Sequence, residues 1–136
     1  MSLYNTVLLL GTNLGDKKNN LEVAKSLITQ QIGEIVKVSN ILENEADGFT
    51  SDELFLNQKL LVTTKLSPIQ LLKVIKTIEK NMGRTYTQPR DGEKYVDRII
   101  DIDILRYNNI TFSSESLTVP HHQLVTRAFI KELYFN

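Results

Sequence analysis

The period of apolar and polar positions changes repeatedly along the chain, and each change marks an element. Thr6 to Leu10 is a short apolar run closed by Gly11, and its length and β-branched residues predict a buried strand. A turn, Gly11-Thr12-Asn13-Leu14-Gly15-Asp16, follows. Asp16 reads as the N-cap of a helix in which Leu21, Ala24, Leu27, Ile28 and Ile32 recur at helical spacing, with Gly33 as a left-handed stop. Ile35 to Leu42 is rich in β-branched residues and predicts a second strand, the polar stretch Glu43 to Glu53 a turn, and Leu54 to Thr64 a third strand.

The second helix carries the fullest set of local signals. Ser67 is its cap, Pro68 its first residue and Gln70 the partner in a capping box, while Leu71, Leu72, Ile75, Ile78 and Met82 form the apolar stripe and Gly83 ends it. Arg84 to Asp97 shows no apolar period and predicts a long loop, of the length that often carries function. Ile99 to Tyr107 is the fourth strand, with Asn108-Asn109 predicted as a hairpin turn into Ile110 to Phe112. The order β-α-β-β-α-β plus a short C-terminal extension predicts an α+β, ferredoxin-like fold: an antiparallel sheet with both helices on one face. A chain of 136 residues without linkers or repeats fits a single domain over 1–136.

Composition narrows the function classes. Sixteen Lys and Arg balance sixteen Asp and Glu, so no global field draws the chain to nucleic acid or an anionic membrane, and anion binding has to be local. Cysteine is absent, which excludes disulfides and thiolate metal sites and fits a reducing, cytoplasmic setting. No apolar run reaches transmembrane length, and the first residues lack the pattern of a signal peptide.

The candidate chemistry centres on Ile100-Asp101-Ile102-Asp103-Ile104. Side chains alternate on a strand, so both aspartates open onto one space, about 6.5 to 7 Å apart along the chain. On spacing alone this is either a solvated edge strand or a hard-oxygen site of the kind that holds Mg²⁺ with one or two carboxylates plus phosphates. Arg84, Arg90, Lys94 and Arg98 in the preceding loop favour the second reading, because arginine clamps phosphate oxygens bidentately. Glu79, one helical turn before Gly83-Arg84, either faces solvent, orients an arginine or contacts a nucleotide. His121 fits a phosphate contact or a surface histidine; His121 and His122 are adjacent and lack the third nitrogen or thiol ligand of a zinc site. Phe55 and Asn57 share a face, which either offers a flat heterocycle an aromatic surface and an amide or simply places Phe55 in the core.

These segments, in order, are Gly11-Thr12-Asn13-Leu14-Gly15, Phe55-Leu56-Asn57, Glu79 to Arg84, Arg98-x-x-Asp101-x-Asp103, Leu117-Thr118-Val119-Pro120-His121 and Arg127-Ala128-Phe129. Together they resemble the 6-hydroxymethyl-7,8-dihydropterin pyrophosphokinases, enzymes of folate synthesis that transfer pyrophosphate from ATP and release AMP. The resemblance implies two Mg²⁺ ions at Asp101 and Asp103, with ATP phosphates contacted by Arg84, Arg98, His121 and Arg127 and charge in the transition state stabilised by Arg84 and Arg98. It places Glu79, Ile104 and His122 in the nucleotide pocket, and the pterin between Phe55 and Phe129 with Asn57 and the Asn44, Glu45 and Asp47 loop on its polar edge. Departures from the family pattern are Asn44-Glu45 for Thr-Pro, and Tyr95-Val96-Asp97 for Trp-Gly-Pro, which makes Tyr95 the aromatic over adenine. Tyr86 replaces a second loop arginine, leaving Arg90 or Lys94 to substitute. The resemblance implies a monomer with no nucleic-acid or membrane partner. Two other classes use the same residues: a different Mg²⁺-dependent phospho- or nucleotidyltransferase, and a non-catalytic ligand-binding module on the same fold.

Overall fold

The computed structural model describes residues 3–44, 54–84, 99–109, 112–113, 117–119 and 133–135. Strand β1 (Tyr4–Thr12) leads to helix α1 (Lys17–Gln31), β2 (Gly33–Asn44), β3 (Phe55–Thr64), α2 (Pro68–Asn81) and β4 (Asp101–Tyr107). These strands form one antiparallel sheet in the order β2-β3-β1-β4, the ferredoxin-like plan that the periodicity predicts. No described helix is long and apolar enough to cross a membrane.

Register decides which side chains enter the core. Leu8 of β1 pairs with Leu60 and Ile104, and Leu10 with Gln58 and Ile102, so the even positions of β1 point toward the helices. There they pack with Leu21, Ala24 and Ile28 of α1 and with Leu71, Ile75 and Ile78 of α2, all buried in one cluster. Each such leucine or isoleucine side chain contributes about 1.5–3 kcal/mol through burial. The odd positions emerge on the opposite face. Leu9, Leu105 and Leu133 make a small second cluster there, and the C-terminal residues stay close to it through a Phe135 bridge to Ser39 and a Tyr134 N–H bond to Asn40 Oδ1 of 2.9 Å.

The caps follow local chemistry. The Asp16 carboxylate accepts the Asn19 N–H at 3.2 Å. At α2, Ser67 Oγ accepts the Gln70 N–H at 3.2 Å while Gln70 Oε1 accepts the Ser67 N–H at 3.0 Å, completing the capping box. Gly83 takes a left-handed φ of +102°, the stop expected for α2.

Two sequence readings are corrected. Gly33 is not a left-handed stop: α1 closes on Ile32 in a helical conformation, and Gly33 opens β2 instead. What demands glycine is contact, since a Cβ there would stand 1.8 Å from the Thr63 carbonyl oxygen. Asn108 does turn the chain at φ 47°, but its amide and side chain bond back to Asn5 of β1. Strand β5 (Phe112–Ser113) then pairs with β6 (Thr118–Val119) in a separate two-stranded sheet rather than folding back on β4.

The glycines give a direct test. Gly33→Ala is expected to cost about 3 kcal/mol, because backbone must move to admit the methyl. Gly15→Ala, at φ +73° with nothing within 4 Å of the new Cβ, is expected to cost about 1 kcal/mol. Urea unfolding of both variants checks the order, and an equal or reversed ranking contradicts it.

Candidate active site

The C-terminal end of β1, the start of α1 and the entries to β3 and β4 are locked together by side-chain hydrogen bonds. Thr12 Oγ1 donates to the Ile99 carbonyl at 2.6 Å, and Asn20 Nδ2 donates to Thr12 Oγ1 at 3.2 Å and to Leu14 O at 2.8 Å. Lys17 Nζ donates to Leu54 O at 3.1 Å, one residue before Phe55. The turn between β1 and α1 is thus closed by the buried Asn20 amide. These ties set where the next two strands begin.

Across this end the strands present one row on the face away from the helices. Asn57 of β3, Gly11 of β1 and Asp101 of β4 are consecutive cross-strand partners, and Lys59, Leu9 and Asp103 form the row beside them. Two strand spacings put Asn57 and Asp101 about 10 Å apart. Gly11 in the middle is a fitted position: a Cβ there would lie 3.2 Å from Asn57 Oδ1 and 3.7 Å from the Phe55 ring. Alternation put Phe55 and Asn57 on one face, whereas their juxtaposition with the aspartates across Gly11 depends on sheet register. Lys59 is a residue that the sequence reading did not single out. It is half-buried on this face, its ammonium 4.9 Å from the Phe135 ring centre, and desolvation lowers its pKa from the ordinary lysine value.

The electrostatic centre of the site joins α2 to β4. Arg84 Nη1 donates to Glu79 Oε2 at 2.6 Å and to Asp101 Oδ1 at 2.8 Å, so one nitrogen spans two carboxylates. Glu79 is 1% exposed; its Oε2 also accepts the Ile102 N–H at 2.8 Å, and Lys76 Nζ lies 3.9 Å from Oε1. The solvent-facing reading of Glu79 is therefore wrong, and the arginine-orienting one describes the observed geometry. A carboxylate this deep requires a cation and hydrogen-bond donors, and the end of α2 and the start of β4 supply both.

Asp101 and Asp103 are half-buried on the open face as alternation predicted, with Ile102 and Ile104 turned into the core. Ile104 is 3% exposed. Among the described residues no group of three or more potential metal ligands forms. Among the described residues the donors on this face of β4 are these two carboxylates, which suit a hard cation that completes its shell with phosphate oxygens and water. Tyr95, Arg98, His121, His122, Arg127 and Phe129 lie outside the described residues, as do Glu45, Asp47, Tyr86, Arg90 and Lys94. The backbone of Asn44 pairs with Phe55.

Comparison with known proteins points the same way. The profile of the 7,8-dihydro-6-hydroxymethylpterin-pyrophosphokinase (HPPK) family matches residues 7–135. A 2-amino-4-hydroxy-6-hydroxymethyldihydropteridine pyrophosphokinase of Porphyromonas gingivalis is 36% identical over 123 residues, covering 90% of this chain and 82% of that protein. A mitochondrial folate synthesis bifunctional protein of Pisum sativum is 38% identical over 124 residues, covering 91% of this chain but only 23% of the pea protein. Among solved structures, an HPPK-DHPS in complex with substrates superposes with a TM-score of 0.66 at 18% identity, covering 86% of this chain and 30% of that one.

The buried Glu79 clamp predicts a stability effect. Glu79→Ala removes the acceptor of the Ile102 N–H and one partner of Arg84, and is expected to cost about 3 kcal/mol. Asp101→Ala, at a half-exposed position, is expected to cost less than about 1 kcal/mol. Chemical denaturation of the two variants measures both, and equal losses contradict the clamp.

Proposed function

Because the chain belongs to the 7,8-dihydro-6-hydroxymethylpterin-pyrophosphokinase family, we propose that it transfers diphosphate from ATP to 6-hydroxymethyl-7,8-dihydropterin, releasing AMP in folate synthesis. The observation that carries the reading is the row Asn57, Gly11, Asp101 on the open face of the sheet, with Arg84 bonded to Asp101. A heterocycle resting on Phe55 and Asn57 has a polyphosphate-binding carboxylate pair about 10 Å away, two strand spacings across the sheet.

In the reaction the pterin hydroxymethyl oxygen attacks the β-phosphorus of ATP in line. The bond from that phosphorus to the oxygen it shares with the α-phosphorus breaks, that oxygen leaves with AMP, and the hydroxyl proton is lost to solvent. Catalysis of this kind rests on positioning and on charge stabilisation. Asp101 and Asp103 would hold Mg²⁺, two ions being expected, and the cation would supply neutralisation of charge on the phosphate oxygens. Arg84 and Arg98 are the arginines that meet charge developing on the transferred group. His121 and Arg127 contact the phosphates, while Tyr95 and His122 line the base and ribose pocket; Ile104, whose side chain is buried in the core, borders it by its backbone alone. Glu79 serves the phosphate side of the nucleotide through Arg84. Phe129 closes the pterin against Phe55, with the Asn44, Glu45 and Asp47 segment on its polar edge. The reading takes the domain to act as a monomer, and the absence of cysteine agrees with a cytoplasmic setting.

Product identity tests the reading. Incubation with ATP, Mg²⁺ and the reduced hydroxymethylpterin is expected to yield AMP and pterin diphosphate, and Asp101→Asn to lower the rate about 100-fold or more, the scale for losing one group that stabilises developing charge. ADP as product would instead identify a simple phosphotransferase, and binding without turnover a non-catalytic module.

A further inference from the structure

The two carboxylates that share Arg84 Nη1 are held very differently. Glu79 is 1% exposed and also receives the Ile102 N–H, so losing the guanidinium would take the nearest cation, at 2.6 Å, from a charge buried inside the protein and leave the more distant Lys76. The Asp101 side chain is 24% exposed on the open face, where water or a cation replaces the guanidinium at little cost. Of the two bonds, the one to Asp101 is therefore the exchangeable one.

We propose that Arg84 is the resident counter-ion of Asp101 in the substrate-free protein and is displaced when a divalent cation arrives with its nucleotide. Glu79 is then a positioning residue that keeps Arg84 at the edge of the site after the exchange. The proposal rests on Asp101 being a cation ligand for ATP. A cation approaching alone must compete with a guanidinium 2.8 Å from the carboxylate. A cation accompanied by ATP gives the guanidinium a new anion, because the phosphates accept the hydrogen bond that Asp101 gives up. Cation and nucleotide binding are thereby coupled, each favouring the other by the same factor.

The test is Mn²⁺ binding, followed by the electron paramagnetic resonance signal of the free ion, on the full chain. Glu79→Gln combined with Arg84→Met removes the counter-ion without stranding the buried acid. It is expected to raise Mn²⁺ affinity in the absence of nucleotide about fivefold or more, a gain that Asp101→Asn abolishes. Glu79→Gln alone keeps Arg84 on Asp101 and is expected to leave that affinity at the wild-type value, while lowering kcat without raising KM. Equal Mn²⁺ affinity in wild type and double variant overturns the exchange, whatever the acceptor substrate proves to be. A raised KM at unchanged kcat in Glu79→Gln overturns the positioning role. If the wild type takes up no Asp101-dependent Mn²⁺ even with a non-hydrolysable ATP analogue, the cation–nucleotide reading fails, and the exchange with it.

Discussion

A carboxylate buried as deeply as Glu79 is tolerable only with donors and a cation around it, and the way this need is met organises the site. The Glu79 side chain, near the end of α2, takes the Ile102 N–H of β4 and the guanidinium of Arg84. A single acid thereby joins the last turn of a helix to the first residues of a strand and aims an arginine at Asp101. The left-handed Gly83 helps by turning the chain directly after α2, so that the Arg84 amide bonds back to the Glu79 carbonyl at 3.0 Å. Helix end, strand start and Arg84 form one hydrogen-bonded unit.

The second constraint is the division of labour between the faces of the sheet. With both helices packed on one face, the other is left to polar and small residues at the end where β1, β3 and β4 meet. Gly11 occupies the centre, where a Cβ would crowd Asn57 Oδ1 at 3.2 Å, and in the proposed function the absence of that Cβ lets the heterocycle side and the phosphate side share one surface. Leu9, Leu105 and Leu133 continue that face as a small buried apolar cluster, so the face is not polar throughout.

Much of this was legible in the chain because the signals are local. The capping box of Ser67 and Gln70, the stripe of α2 and the alternation of Asp101 with the isoleucines each depend on a few neighbouring residues, and each appears where expected. Glu79 was ambiguous because it lies beside Ile78 at the margin of the helical stripe, and its burial depends on donors from a strand more than twenty residues away. Gly33 misled for a related reason: after an amphipathic helix a glycine suggests a left-handed stop, while the contact that requires it comes from Thr63 on another strand. The meeting of Asn57 with Asp101 across Gly11 is a matter of register, which alternation alone does not specify. The pair Asp101 and Asp103 thus reads as a site rather than a solvated edge through what surrounds it.

The central claim is that cation and nucleotide bind on the open face of the sheet around Gly11, opposite the helices. Paramagnetic broadening of backbone amide signals by Mn²⁺, with a non-hydrolysable ATP analogue bound, measures this most directly. The account predicts the strongest broadening at Leu9 to Gly11 and Asp101 to Asp103, with the middle of α1 from Leu21 to Ile28 spared. Broadening centred on α1 or on the Ser67 end of α2 would contradict it.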